Sequence, residues 1–233
     1  MKQLTNISNR IKEITNLIPK CETLFDVGCD HGKLGAYCLF RGVCKNVVLS
    51  DISQTNLDKA VYTARHLPQQ DLTFICCAGI PQMVQTVDKH NSIIAICGLG
   101  AETIIDILRD CESKQDIKFV LQPATKEERL REFLINEDFE IIKEVIIKEN
   151  DNFYCTMLVS YPRTKQRAKD DAMFLGFVDD SQSLEVYNEY LHKKLNIAKK
   201  MMSIKKRKKQ DKLFKSEDYE RQYASISERI KGE

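Results

Sequence analysis

Five short apolar runs, each followed by a helix-like stretch, and then two runs with no helix between them, set narrow limits on how this chain folds. The strands read Thr23–Gly28, Asn46–Ser50, Leu72–Cys77, Ser92–Cys97 and Ile117–Leu121. Helical spacing follows at Lys33–Phe40, from an N-cap at Ser53 to about Leu67, briefly from Pro81, at Ala101–Asp110 and at Lys126–Asn136. Phe139–Lys148 and Asn152–Tyr161 are joined only by Glu149-Asn150-Asp151 and read as a closing hairpin. An opening helix carries Ile7, Ile11, Ile14 and Ile18, is capped by Asn6 or Ser8, and stops at Pro19. Strands alternating with helices make a parallel sheet, and the hairpin adds an antiparallel edge. The fold class is therefore α/β: a Rossmann-like, seven-stranded sheet over residues 1–162.

After Pro162-Arg163 the apolar period is helical only. Leu184, Leu191 and Ala198 recur every seven residues, as do Asn188, Leu195 and Met202; Tyr219, Tyr223, Ile226 and Ile230 follow a second helical spacing. Residues 163–233 are thus expected to form a helical hairpin, a short coiled coil whose stripes cover one another and lean on the main domain. Charge divides at the same boundary. The C-terminal part holds 18 Lys+Arg against 12 Asp+Glu, a net +6, and leaves the body at −4. Lys205-Lys206-Arg207-Lys208-Lys209 is unbroken. Such a block neutralises phosphates or simply solubilises a helix face; beside a nucleotide-type fold it points to nucleic acid. The nine cysteines form no C-x-x-C pair, so neither a zinc site nor a disulfide framework is indicated. No apolar run is long enough to cross a bilayer, and Met1–Asn6 lacks a signal-peptide core, which places the expected protein in the cytosol without a membrane or obligate protein partner.

In such a sheet, ligands sit outside the carboxyl ends of the strands, where strand order reverses. Asp26-Val27-Gly28-Cys29-Asp30-His31-Gly32 follows the first strand. It is not the three-glycine pattern that brings backbone against a pyrophosphate. An acid before one tight glycine turn suits a ligand with an amino-acid end, such as S-adenosylmethionine, its ammonium group met by backbone near Gly28 and Cys29. Asp51, at the end of strand two and followed by Ile52, is placed for two hydrogen bonds to a ribose diol, or else starts the next helix. Ala78-Gly79 offers backbone to an adenine ring. Gly98-Leu99-Gly100 follows strand four, facing the transferred group and its acceptor.

Seven strands in this order match a class I methyltransferase better than a dehydrogenase. Asp-Val-Gly-Cys-Asp-His (26–31), Cys-Gly-Leu-Gly (97–100), Leu-Gln-Pro (121–123), Leu-Arg-x-x-Leu (130–134) and Tyr154 occur in the order seen in the bacterial tRNA (adenine(22)-N1)-methyltransferase family, which this chain resembles over nearly its full length. Ser8-Asn9-Arg10-Ile11 and Phe174-Leu175-Gly176 resemble that family's opening and its lead into a helical C-terminal domain. The resemblance implies S-adenosylmethionine as methyl donor and adenine N1 in the D-loop region of tRNA as acceptor. The chain departs from the family pattern at Lys33 (an aromatic), Ala78 (an acid), Ala101 (a glycine) and Tyr154-Cys155 (Tyr-Glu).

Adenine N1 carries an in-plane lone pair, so its methylation needs alignment and exclusion of water more than a base. The product ring is cationic, and a nearby carboxylate favours that charge. Asp30 is the candidate for this, with His31 orienting the base; the alternatives are a helix cap and a core histidine. Gln122 reaches a base edge or ends a loop, and Arg10 meets the cofactor carboxylate or a phosphate. With Gly100 and Lys205–Lys209 these make up the expected substrate side. Besides the tRNA enzyme, two readings stand: a methyltransferase for a small molecule or protein, and a non-catalytic RNA-binding protein.

Overall fold

The computed structural model describes residues 4, 6–112, 114–162, 172–179, 181–205 and 216–231. Five parallel strands, β1 (Cys21–Val27), β2 (Cys44–Asp51), β3 (Leu72–Cys76), β4 (Ser92–Cys97) and β5 (Lys118–Gln122), are completed by the antiparallel β6 (Glu140–Glu149) and β7 (Asn152–Ser160). The order across the sheet is β3-β2-β1-β4-β5-β7-β6, so the second arm of the hairpin inserts beside β5 and the first becomes the edge. Central strands are apolar on both faces because both are covered: Leu24, Phe25, Leu49, Ile94 and Ile96 are fully buried.

On one face lie α1 (Asn9–Leu17), α2 (Lys33–Phe40) and α3 (Gln54–Ala64), burying Ile14, Leu17, Leu34, Leu57 and Ala60. On the other lie α4 (Ala101–Asp110) and α5 (Glu127–Asn136), with Ile104, Ile105, Leu108, Leu130 and Phe133 inward. The same face receives the C-terminal helices. After a four-residue turn of helix, α6 (Ala172–Leu175), come α7 (Leu184–Lys205) and α8 (Ser216–Lys231), which pack on each other. Tyr187, Tyr190 and Leu191 of α7 and Ile226 of α8 join the apolar cluster beneath the sheet. Of the basic run, Lys205 is the last residue of α7; Lys206, Arg207, Lys208 and Lys209 lie outside the described residues.

Several local expectations shift. Ser8, not Asn6, caps α1, its hydroxyl accepting from the Ile11 N–H. Ser53 holds the expected N-cap position, but its side chain makes no cap bond; its N–H donates to the Asp51 carboxylate at 2.9 Å. The helix from there ends at Ala64, before Leu67, and the stretch after Pro81 is a 3-10 turn over Gln82–Gln85.

Strand order reverses between β2-β1 and β4, which opens a crevice over their carboxyl ends. Gly32 holds one wall. Its φ is +64°, and a Cβ added there would lie 2.7 Å from Ala60 Cβ on α3. Gly32→Ala is expected to destabilise the fold by about 2–3 kcal/mol through backbone strain and overpacking, read as a lower urea midpoint at unchanged m-value.

Candidate active site

The turn after β1 is suspended from the end of β2. The Cys29 N–H donates to the Ser50 carbonyl at 2.9 Å and the Asp30 N–H to Asp51 Oδ2 at 3.0 Å. Gly28 (φ +67°) turns the chain where a Cβ would stand 3.0 Å from Leu99 Cδ1. Asp26 is buried under the turn and accepts from the Gly35 N–H at 2.9 Å, satisfying one open donor in the first turn of α2.

These tethers hold Asp30, itself at φ +48°, and His31 outward. Their side chains are 67% and 45% exposed, with His31 Nε2 3.7 Å from Asp30 Oδ1. Neither alternative role is filled: Gly32 occupies the N-cap of α2 with no side-chain cap bond, and His31 is not in the core.

A cavity of about 1300 Å3 runs through the crevice. Asp26, Gly28, Cys29, Asp51 and Ile52 line it from the β1–β2 side, and Ala78 and Gly79 from the loop after β3. Gly98, Leu99 and Gln122 line it from β4–β5; Arg10, Asp30 and His31 stand at its walls. Gly100 is not among the lining residues and serves as the N-cap of α4. Ala101 is buried in the first turn of that helix, so its departure from the family pattern leaves the cavity untouched. Lys33 is exposed at the cavity wall.

Asp51 lines the cavity and takes the helix-start role, one of the two that the sequence left open. Oδ1 accepts from the Ser53 N–H and from Asn56 Nδ2 at 3.3 Å, and Oδ2 from Asp30. A carboxylate has about four acceptor positions, so one remains toward the cavity rather than the pair a ribose diol would engage. Gln122 donates from Nε2 to the Pro123 carbonyl at 2.6 Å, which is the loop-ending role; its own carbonyl accepts from Gly98.

Sequence reasoning missed Glu149 and Asn56. Glu149, at the hairpin tip, accepts the Arg10 backbone N–H at 2.9 Å and lines the cavity. The Arg10 guanidinium rests 4.7 Å from the centre of the Tyr154 ring, and its Nε is buried without a hydrogen-bond partner. No local pattern signals Glu149, since its partner is far away in sequence. Asn56 was legible as a polar residue in the first turn after Asp51. Burial, reinforced by the Asp26 charge, pushes the Cys29 and Cys97 thiols of the cavity lining up, so these two stay protonated. Among the described residues, no group of three or more His, Cys, Asp or Glu is arranged to hold a metal ion.

Residues 7–157 match the family model described as a methyltransferase domain. The chain belongs to that family. This methyltransferase is 28% identical over 194 residues to a provisionally named tRNA methyltransferase of Mycoplasma pneumoniae, covering 79% of this chain and 89% of that protein. It is 24% identical over 151 residues to the tRNA (adenine(22)-N(1))-methyltransferase of Bacillus subtilis, covering 64% and 62%. Its fold extends to M. capricolum TrmK, solved with S-adenosyl-homocysteine, at TM-score 0.77 and 21% identity over 97% of this chain and 98% of that one. The likeness therefore includes the C-terminal helices as well as the sheet.

One consequence for this methyltransferase concerns Asp26. Burial raises its carboxyl to about 6, the Gly35 N–H opposing and the Asp51 charge adding to the rise. A folded-state value above the unfolded one gives stability that is full below about pH 4 and is lost as pH rises through 6. Asp26→Asn, which keeps an acceptor for Gly35, is expected to gain on the order of 2 kcal/mol at pH 8 and little at pH 4, measured by urea unfolding at both pH values.

Proposed function

We propose that this methyltransferase transfers a methyl group from S-adenosylmethionine to N1 of an adenine in tRNA, at position 22 in the D-loop region, and works in the cytosol. The observation that carries the reading is that the exposed Asp30 and His31 stand on the same continuous cavity as Gly28, Asp51 and Arg10. A cavity of about 1300 Å3 has room for a nucleoside cofactor and a second, flat ligand together. The M. pneumoniae and B. subtilis relatives, by their names, act on tRNA. Among the described residues no helix is long and apolar enough to cross a membrane.

The residues present fit the cofactor. Arg10 supplies a cation with a buried, unpartnered Nε for its carboxylate, and the remaining acceptor of Asp51 suits a ribose hydroxyl. Gly79 and Gly98 have open space where a side chain would project, so flat groups can approach their backbone. When bound, S-adenosylmethionine supplies an electrophilic methyl group on a sulfonium sulfur. The chain's own part is to orient the base and manage charge. Asp30 accepts a hydrogen bond, and finally a proton, from the exocyclic amino group as the ring becomes cationic. His31, beside it, holds the base edge. Adenine N1 is inaccessible in a paired duplex, so the target nucleotide is bound unpaired or turned out of its stack.

Calorimetric titration with S-adenosylmethionine tests the cofactor half directly. One site per chain is expected, weakened about tenfold or more when Arg10→Ala leaves the carboxylate unpaired. An intact protein that gives no heat and shows no thermal shift contradicts the reading.

A further inference from the structure

Among the described residues, the two charged side chains at zero exposure, Arg131 and Glu144, stand outside the cavity lining. They lie between the methyltransferase domain and the C-terminal helices. Arg131 of α5 is wholly buried and grips the equally buried Glu144 of β6 through both Nε (3.0 Å) and Nη2 (2.6 Å). Its other donors go to the Met173 carbonyl (3.0 Å), the Tyr190 hydroxyl (3.3 Å) and Cys155 Sγ (3.4 Å). Glu144 also accepts the Phe177 N–H at 2.8 Å. One helical turn away, Lys194 of α7 is bound by Glu127 (2.6 Å) and Glu128 (2.5 Å) of α5. Gln222 of α8 donates to Glu128 at 2.9 Å, and Tyr190 to Glu127 at 3.2 Å.

Every bond in this cluster that reaches α6, α7, α8 or the segment between them crosses from the sheet domain to the helical part. Although burial opposes it, the Lys194 and Arg131 charges bring Glu127 down to about 2, and the carboxylates hold Lys194 and Arg131 above their usual values. Burying the Arg131–Glu144 pair gains little stability over an apolar contact of the same volume. A directional network differs from an apolar contact in allowing one docking angle rather than a range. Lys199 and Lys200, exposed on α7, stand about 8–9 Å beyond Lys194 along its axis at 1.5 Å per residue and make the basic end of the helix.

We propose that Arg131, Glu144, Lys194, Glu127 and Glu128 are positioning residues for RNA: they fix the helical hairpin at one angle, so that the basic end of α7 and the cavity engage the same molecule. The inference rests on the tRNA reading. It assigns these residues to RNA affinity rather than to the chemical step.

The test is steady-state kinetics of the full chain with unmodified tRNA. Lys194→Met is expected to raise KM for tRNA about tenfold, with kcat at saturating tRNA and the Kd for S-adenosylmethionine within about twofold, the signature of lost uniform binding. Lys194→Arg should restore most of the loss. An unchanged KM, or a loss that falls on kcat, overturns the proposal. Should Lys194→Met fail to fold, Gln222→Ala removes one bond from α8 while every charge stays paired, and an unchanged KM for tRNA there is equally decisive against it. Labels on unnatural amino acids at Lys45 and Ile197 report the joint without RNA: one narrow distance is expected, and a broad distribution overturns the fixed angle. A wild-type enzyme that methylates no tRNA but shows the narrow distance refutes the tRNA reading and with it the RNA role, leaving the joint itself intact.

Discussion

Asp30→Asn should lower the single-turnover rate of methyl transfer about 100-fold or more, while affinity for S-adenosylmethionine stays within about twofold. The split follows from how Asp30 is held. Its backbone N–H is tied to Asp51, but its carboxylate is exposed, with the neighbouring imidazole at 3.7 Å. Asparagine matches aspartate in size and leaves the backbone tether in place, so the turn at the cavity should persist. The variant loses the negative charge facing a ring that becomes cationic, together with the group able to take an amino proton. Rapid-quench kinetics beside calorimetry separates the effects. Equal losses in rate and affinity would make Asp30 a cofactor ligand, and no loss would make it a bystander.

The largest expected effect on stability is at Arg131. Arg131→Met leaves the buried Glu144 carboxylate with the Phe177 N–H and, among the described residues, without its ion-pair partner. Removing one partner of a buried ion pair costs about 3–5 kcal/mol, a large share of the stability of a domain this size. The companion Arg131→Met/Glu144→Met variant should recover most of the loss, because it removes the stranded charge as well. Urea unfolding of both variants measures this. A double variant no better than the single one would show that the cost comes from packing around Met173, Tyr190 and Cys155 instead of from the unpaired carboxylate.

Much of the fold was legible because local and global signals agree in it. β1, β4 and β5 are short β-rich runs bounded by turns, and their apolar residues are the ones the structure buries. The hairpin was visible from Glu149-Asn150-Asp151 alone, but nothing local says that β7 rather than β6 sits beside β5; that is decided by tertiary pairing. The glycine turn declared the crevice, and the residues nearest it in sequence, Asp26 to His31, line the cavity there. Gly100 does not, since a residue after a strand may serve the ligand or start the next helix, and here it caps α4. Arg131 stands in Leu-Arg-x-x-Leu, yet an arginine in a helix reads as a surface residue until its distant partner Glu144 is known. Glu149 was hidden for the same reason: a glutamate at a hairpin tip looks like solvent-facing loop until α1 is seen to rest on it.

The central claim is tested most directly by incubating the purified protein with S-adenosylmethionine and tRNA transcribed without modifications, then digesting the RNA to nucleosides for mass analysis. 1-Methyladenosine is predicted, and it should vanish when adenine 22 of the transcript is replaced by guanine. Methyl groups found on another atom or another nucleotide, or no methylation by a protein that binds the cofactor, would contradict it.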